Sequence, residues 1–138
     1  MLDQEFWIGH MMRAQALEQL GQHALALDGL TMAARFSNEN SKAISLRGYI
    51  LAKLGRTAEA RHVLAALETT SHKRYVPPFA LALVHAGLGE HDVVFALLDK
   101  ALDARDVHLI FLPVDPKWDP YRGDARFDRL LSRCGFTR

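Results

Sequence analysis

Apolar residues recur at three- and four-residue intervals from about Trp7 to Leu20, and again from about His23 to Phe36. Each run therefore presents one apolar stripe when coiled as a helix. Between the two stands Leu20-Gly21, and glycine there supplies the left-handed backbone that ends a helix. The same step returns as Leu54-Gly55 and Leu88-Gly89, thirty-four residues apart both times. Two helices repeated at that period predict an α-solenoid, whose units bury their apolar faces only against their neighbours. Small residues stand where paired helices must approach closely: Ala14 in the first run, Ala26 and Ala33 in the second, with Leu17 and Leu30 filling the space beside them.

The polar connector Ser37-Asn38-Glu39-Asn40 leads to Ser41, an expected N-cap. A second unit follows, with Gly48, Leu51, Gly55, Ala60 and Leu64 at the corresponding places and Thr57 positioned to cap a helix reaching about Thr70. The third opens at Tyr75-Val76-Pro77-Pro78, where prolines suit a helix start because the first amides lack partners anyway. Its first helix, about Pro77 to Leu88, is apolar nearly all round in Phe79-Ala80-Leu81-Ala82-Leu83-Val84. Such a helix needs cover on more than one side. The tail from about Arg105 is the expected cover. It holds the run Val107 to Leu112, the stiff dipeptides Asp115-Pro116 and Asp119-Pro120, and a last helix capped by Asp124 and ended by Gly135, with Phe127, Leu130 and Leu131 on one face.

These positions resemble the tetratricopeptide repeat family. With the turn glycine counted as the fifteenth position, that family places small residues at positions eight, twenty and twenty-seven and bulky ones at eleven and twenty-four; Ala14, Ala26, Ala33, Leu17 and Leu30 match all five. Leu67, His85 and Val94 depart from the pattern, and Leu67 predicts looser helix packing there. The resemblance implies a single all-α domain spanning 1–138. It would be a right-handed superhelix of three helix-turn-helix repeats, at about 7–40, 41–74 and 75–105, closed by a capping segment and helix over 106–138. Tyr75-Val76-Pro77-Pro78, Ala86-Gly87-Leu88-Gly89 and the run Val114 to Phe127 further resemble the tetratricopeptide tails of bacterial signalling and transcriptional regulators. That implies either the tail of a longer regulatory protein or a stand-alone relative of such tails, with no cyclase, kinase or DNA-binding domain read in this sequence.

In such arrays the first helix of each unit lines a concave groove. The resemblance therefore places Met11, Met12, Gln15, Glu18 and Gln19 there from the first unit, Lys42, Ser45, Leu46, Tyr49 and Lys53 from the second, and Val76, Phe79, Ala80 and Leu83 from the third. Methionine adapts its shape and tyrosine supplies rigid amphipathic area, which suits capture of a peptide. The residues expected to carry binding are Met11, Met12, Gln15, Lys42, Leu46, Tyr49 and Lys53. Met11, Gln15 and Leu46 occupy the places where some relatives hold a C-terminal carboxylate with basic and amide side chains, so that type of clamp is not expected.

Charge narrows the alternatives. Seventeen Lys and Arg balance sixteen Asp and Glu, so no strong field draws in nucleic acid. Arg122, Arg126, Arg129 and Arg133 make a basic stripe if helical, which Asp119, Asp124 and Asp128 are placed to neutralise. Cys134 is the only cysteine. The expectation is a soluble, cytoplasmic chain with no membrane helix and no internal disulfide. None of the seven histidines stands three or four residues from another histidine or cysteine, so no metal is expected. Arg133 beside Cys134 would favour a thiolate, but no oriented base accompanies it and no phosphate loop is present. No cofactor is expected, and the function class is non-catalytic: a module binding a peptide or protein surface. The alternative is self-association through the N-terminal end, where nothing in the sequence caps Phe6, Trp7 and Ile8.

Overall fold

The structure is a computed structural model that describes residues 6–36, 41–73, 75–106, 109–110 and 112–136, with residues 6–8 and 33–36 described as backbone only. The chain is all-helical among these residues. Helices α1 (Phe6–Gln19) and α2 (His23–Phe36) form the first pair, α3 (Ser41–Lys53) and α4 (Thr57–Ser71) the second, and α5 (Pro78–Gly87) and α6 (His91–Asp103) the third. A short 3-10 helix, Pro116–Tyr121, and α7 (Ala125–Arg133) complete the described elements. The partners of each pair pack on one another, α3 also packs on α2 and α5, and α7 lies on α6.

The thirty-four-residue period runs one turn further than the Leu-Gly steps. Helices α2, α4, α6 and α7 begin at His23, Thr57, His91 and Ala125, thirty-four residues apart. Gly21, Gly55, Gly89 and Gly123 stand before them, all with positive φ, between 75° and 93°. Only glycine adopts that backbone without steric cost. Arg122 replaces the leucine of the earlier steps, and Pro113, Pro116 and Pro120 prevent a continuous helix ahead of it. The tail is thus a fourth turn of the same period, with an irregular first half.

Some local expectations change. Thr57 is the first residue of α4, not its cap; Arg56 stands at the cap position without a side-chain hydrogen bond. Ser41 likewise opens α3 from inside. Asp124 does cap α7, accepting from the Arg126 amide at 2.8 Å. Leu67, where looser packing was expected, is fully buried at 1% exposure. Helix α3 is held by two close approaches. A Cβ on Gly48 would lie 2.9 Å from methyl groups of both Val63 and Val84, and one on Gly87 would lie 2.8 Å from the Tyr49 carbonyl oxygen. Both glycines are therefore needed for α5 to lie flush on α3.

His85, at a place the repeat pattern fills with a bulky apolar residue, is half-buried and polar in role. Its Nδ1 lies 2.9 Å from the Glu90 carboxylate, which also accepts from Arg61 of α4 at 3.1 and 3.3 Å. Hydrogen bonds from Arg61 first, and then from His85, hold Glu90 below the usual carboxylate range. Arg122, Arg126 and Arg133 of the expected basic stripe are paired on two sides. Arg122 pairs with Asp119 at 2.7 Å and Arg126 with Asp124 at 3.2 Å; across the interface Arg126 reaches Asp92 at 2.7 Å and Arg133 reaches Asp99 at 3.0 Å. These exposed pairs align α7 on α6 more than they stabilise it. Cys134 is half-buried, and burial pushes its thiol up against the smaller opposing effect of Arg133.

Candidate binding site on the face shared by α1, α3 and α5

The 3-10 helix decides the character of this face. Asp115 starts it, its carboxylate accepting from the Lys117 amide at 3.0 Å, and Pro116 pre-sets the first turn. That turn sends Lys117 and Trp118 inward. The Lys117 ammonium lies 3.5 Å from Asp115, 3.9 Å from Glu18 of α1 and 5.9 Å from the ring centre of Tyr49 on α3, with 3% of its side chain exposed. Trp118 is fully buried, its ring 5.5 Å from Phe79 of α5 and 5.9 Å from Tyr121. Tyr121 meets Phe95 edge-on at 5.5 Å. One short segment therefore touches the first helix of every preceding pair. It is the cover that the apolar α5 required.

The cover revises the expected binding surface. Leu46 and Tyr49, read from the sequence as groove anchors, are 2% and 4% exposed, and Met11 is 5% exposed. These three pack inside the molecule, and of them Leu46 alone also edges the pocket described next. Met12 is 64% exposed, and Lys53 is exposed with its ammonium 5.8 Å from the Tyr49 ring centre. Gln15, Lys42 and Leu46 are brought together: they line one pocket of about 130 Å3 with Ser41, Ser45, Pro77, Phe79, Ala80, Leu83, Asp115 and Lys117. Met11, Met12, Tyr49 and Lys53 lie outside its wall. The repeat resemblance read from the sequence places Phe79, Ala80 and Leu83 there. It does not find Asp115 and Lys117, which reach the pocket only through the fold-back of the tail.

Of the run Val107 to Leu112, only part is described. Leu109 and Leu112 are buried, Ile110 is exposed, and Val107, His108 and Phe111 lie outside the described residues. The side chains of Phe6, Trp7 and Ile8, on which end-to-end association was expected to rest, are also outside them.

Two polar atoms beneath the cover lack a hydrogen-bond partner, Glu18 Oε2 and Trp118 Nε1. Tyr49 sits against the same cluster, and burial first, then the Glu18 carboxylate, pushes its phenol up; burial does the same to Tyr121. A raised folded-state value means that both phenols stay protonated in the folded chain at a pH where the unfolded chain ionises. Their contribution is intact below about pH 10 and is lost as pH rises above it. The unfolding midpoint in urea is expected to fall above about pH 10, and Tyr49→Phe to flatten that fall; an unchanged slope in the variant would count against the burial of Tyr49.

Among the described residues no group of three His, Cys, Asp or Glu side chains could hold a metal ion, and no described helix is long and apolar enough to cross a membrane. No protein-family model, curated protein or solved structure matches the chain.

Proposed function

We propose that the chain is a tetratricopeptide-type right-handed solenoid that acts without catalysis, holding a short segment of a partner protein in the pocket between α3, α5 and the 3-10 helix. The observation that carries this reading is convergence. Residues of α1, α3, α5 and the tail meet around one open pocket of about 130 Å3 lined by apolar and polar side chains, a volume small enough to suit a single side chain rather than a whole ligand. The period of helix starts and turn glycines supports the solenoid. The tail motif supports a place in a bacterial regulatory protein. Because Leu46 and Tyr49 serve the core, the partner meets a narrower site than an open groove would give, and affinity depends on one anchor with its immediate neighbours.

The test is selection of a random peptide display library on the intact chain, followed by amide chemical-shift mapping of the recovered peptides. Shifts centred on residues 41–46 and 77–83 are the expected result. Recovery of no binder, or binders mapped only to other faces, would overturn the reading.

Self-association is the second reading. Met12 and Leu25, at 64% and 52% exposure on the first helix pair, favour it. Sedimentation over a wide concentration range separates it from peptide capture.

A further inference from the structure

One stripe of the array is buried in the second and third helix pairs and open in the first. Val84 of α5 packs on α3, where a Cβ on Gly48 would lie 2.9 Å from one of its methyl groups. That contact joins the third pair to the pair before it. Ile50 of α3, thirty-four residues earlier, is fully buried as well, whereas Ala16 of α1, a further thirty-four back, is exposed. One turn back along the stripe the series repeats: Ala80 and Leu46 are 6% and 2% exposed, and Met12 is 64% exposed. At the next turn Ala43 is fully buried and Gly9 is exposed, with open space where its Cβ would stand. The period thus marks Gly9, Met12 and Ala16 as the stripe through which a first helix meets a preceding pair. Among the described residues, α1 leaves it open.

We propose that this stripe is a dimer face: two copies of the chain associate through Gly9, Met12 and Ala16 about a two-fold axis, each α1 taking the place that a preceding helix holds for α3 and α5. The inference rests on the self-association reading above and adds the face and its symmetry. The stripe is self-complementary. Gly9, Met12, Arg13 and Ala16 stand at i, i+3, i+4 and i+7, the four corners of the hollow that receives one side chain when helices interlock. Two of those corners are small. When two α1 helices run antiparallel about the axis, Met12 of each copy enters the hollow of the other, and its unbranched thioether adapts to the fit. Arg13 lays its methylene stem along the contact and keeps its charge in water. The last helix offers no such match. Helix α7 turns Arg129, Ser132 and Arg133 to solvent, with Arg133 held by Asp99 and Asp103. An apolar first face and a polar last helix favour a closed pair over a head-to-tail string.

The experiment is sedimentation equilibrium of the intact chain from low to high micromolar concentration, beside the variants Ala16→Glu, Met12→Ala and Met32→Lys. Ala16 and Met12 are exposed in the single chain, so the first two variants are expected to fold, and circular dichroism verifies it. Met32 is the control. It is 40% exposed on the same helix pair, and the exposed Lys100 stands at its place two periods on, outside the stacking stripe. Wild type and Met32→Lys should pass from monomer to dimer and stop there. Met12→Ala should weaken association by about tenfold, through the lost burial of its side chain. Ala16→Glu, which sets carboxylates into an apolar contact, should stay monomeric. A dimer that survives both α1 variants, or one lost in Met32→Lys, overturns this face while leaving self-association in place. Growth past the dimer overturns the two-fold closure. A wild-type monomer at every concentration overturns the face and the self-association reading together.

Discussion

Truncating Trp118 to alanine should lower the free energy of unfolding by about 3–5 kcal/mol, the cost of removing a fully buried large aromatic side chain from a site that collapses only in part. The indole is 0% exposed and contacts Phe79 and Tyr121. Through Tyr121 it supports Phe95 and Phe127 as well. The loss should therefore spread beyond the tail: α5 loses the cover on its second apolar side, and α7 loses the platform on which Phe127 sits. Urea unfolding followed by far-ultraviolet circular dichroism measures the effect. Val114→Ala is the control, because an exposed side chain away from the core changes stability by less than about 0.5 kcal/mol. A Trp118→Ala midpoint as close to wild type as that of Val114→Ala would mean that the 3-10 helix is not seated on the shared face, and the pocket wall drawn by Asp115 and Lys117 would fall with it.

Replacing Lys117 with methionine should cost about 3 kcal/mol or more, because it leaves a buried carboxylate without its counter-charge. Glu18 is 9% exposed, its Oε2 lies 3.9 Å from the Lys117 ammonium, and that oxygen has no hydrogen-bond partner. Adding Glu18→Leu to Lys117→Met should recover most of the loss, since an apolar pair of similar volume removes the desolvation cost of both charges. The quantity to read is the coupling between the two substitutions in a double-mutant cycle of unfolding free energies. Additive effects would show that α1 and the tail do not meet at this pair. The pair joins the first helix of the chain to its last quarter, so its loss should also lower the cooperativity of unfolding, seen as a smaller denaturant slope.

Much of the architecture is legible along the chain because it is local. Helix spans follow from apolar spacing, the ends at Gly21, Gly55 and Gly89 follow from the backbone freedom of glycine, and the start of α7 follows from Asp124. The fourth turn is present in the sequence as Gly123 but is masked, because arginine replaces the expected leucine and three prolines interrupt the preceding helix. Thr57 shows the limit of residue preference. A residue type that favours caps sits one place inside α4 because the turn from Gly55 through Arg56 sets where the helix begins.

The candidate site divides along the same line. Spacing on a helix tells which residues share a face; of the residues that the repeat resemblance assigned to the groove, Gln15, Lys42, Ser45, Leu46, Phe79, Ala80 and Leu83 line the pocket, whereas Met11, Met12, Tyr49 and Lys53 do not, and spacing alone could not tell them apart. It carries no information on what lies over that face. Leu46 and Tyr49 are equally suited to an open groove or to a core, and the choice is made by a segment far along the chain that brings Lys117 and Trp118 onto them. What the sequence determines by itself is thus the set of α-helices, most of their ends and the stripe each presents, since these depend on neighbours within a turn or two; the 3-10 helix, which takes in the Asp119-Pro120 step expected to be stiff and extended, is not among them. Only the tertiary structure decides which stripe is buried. Burial depends on contacts between distant segments, and no local pattern records the partner.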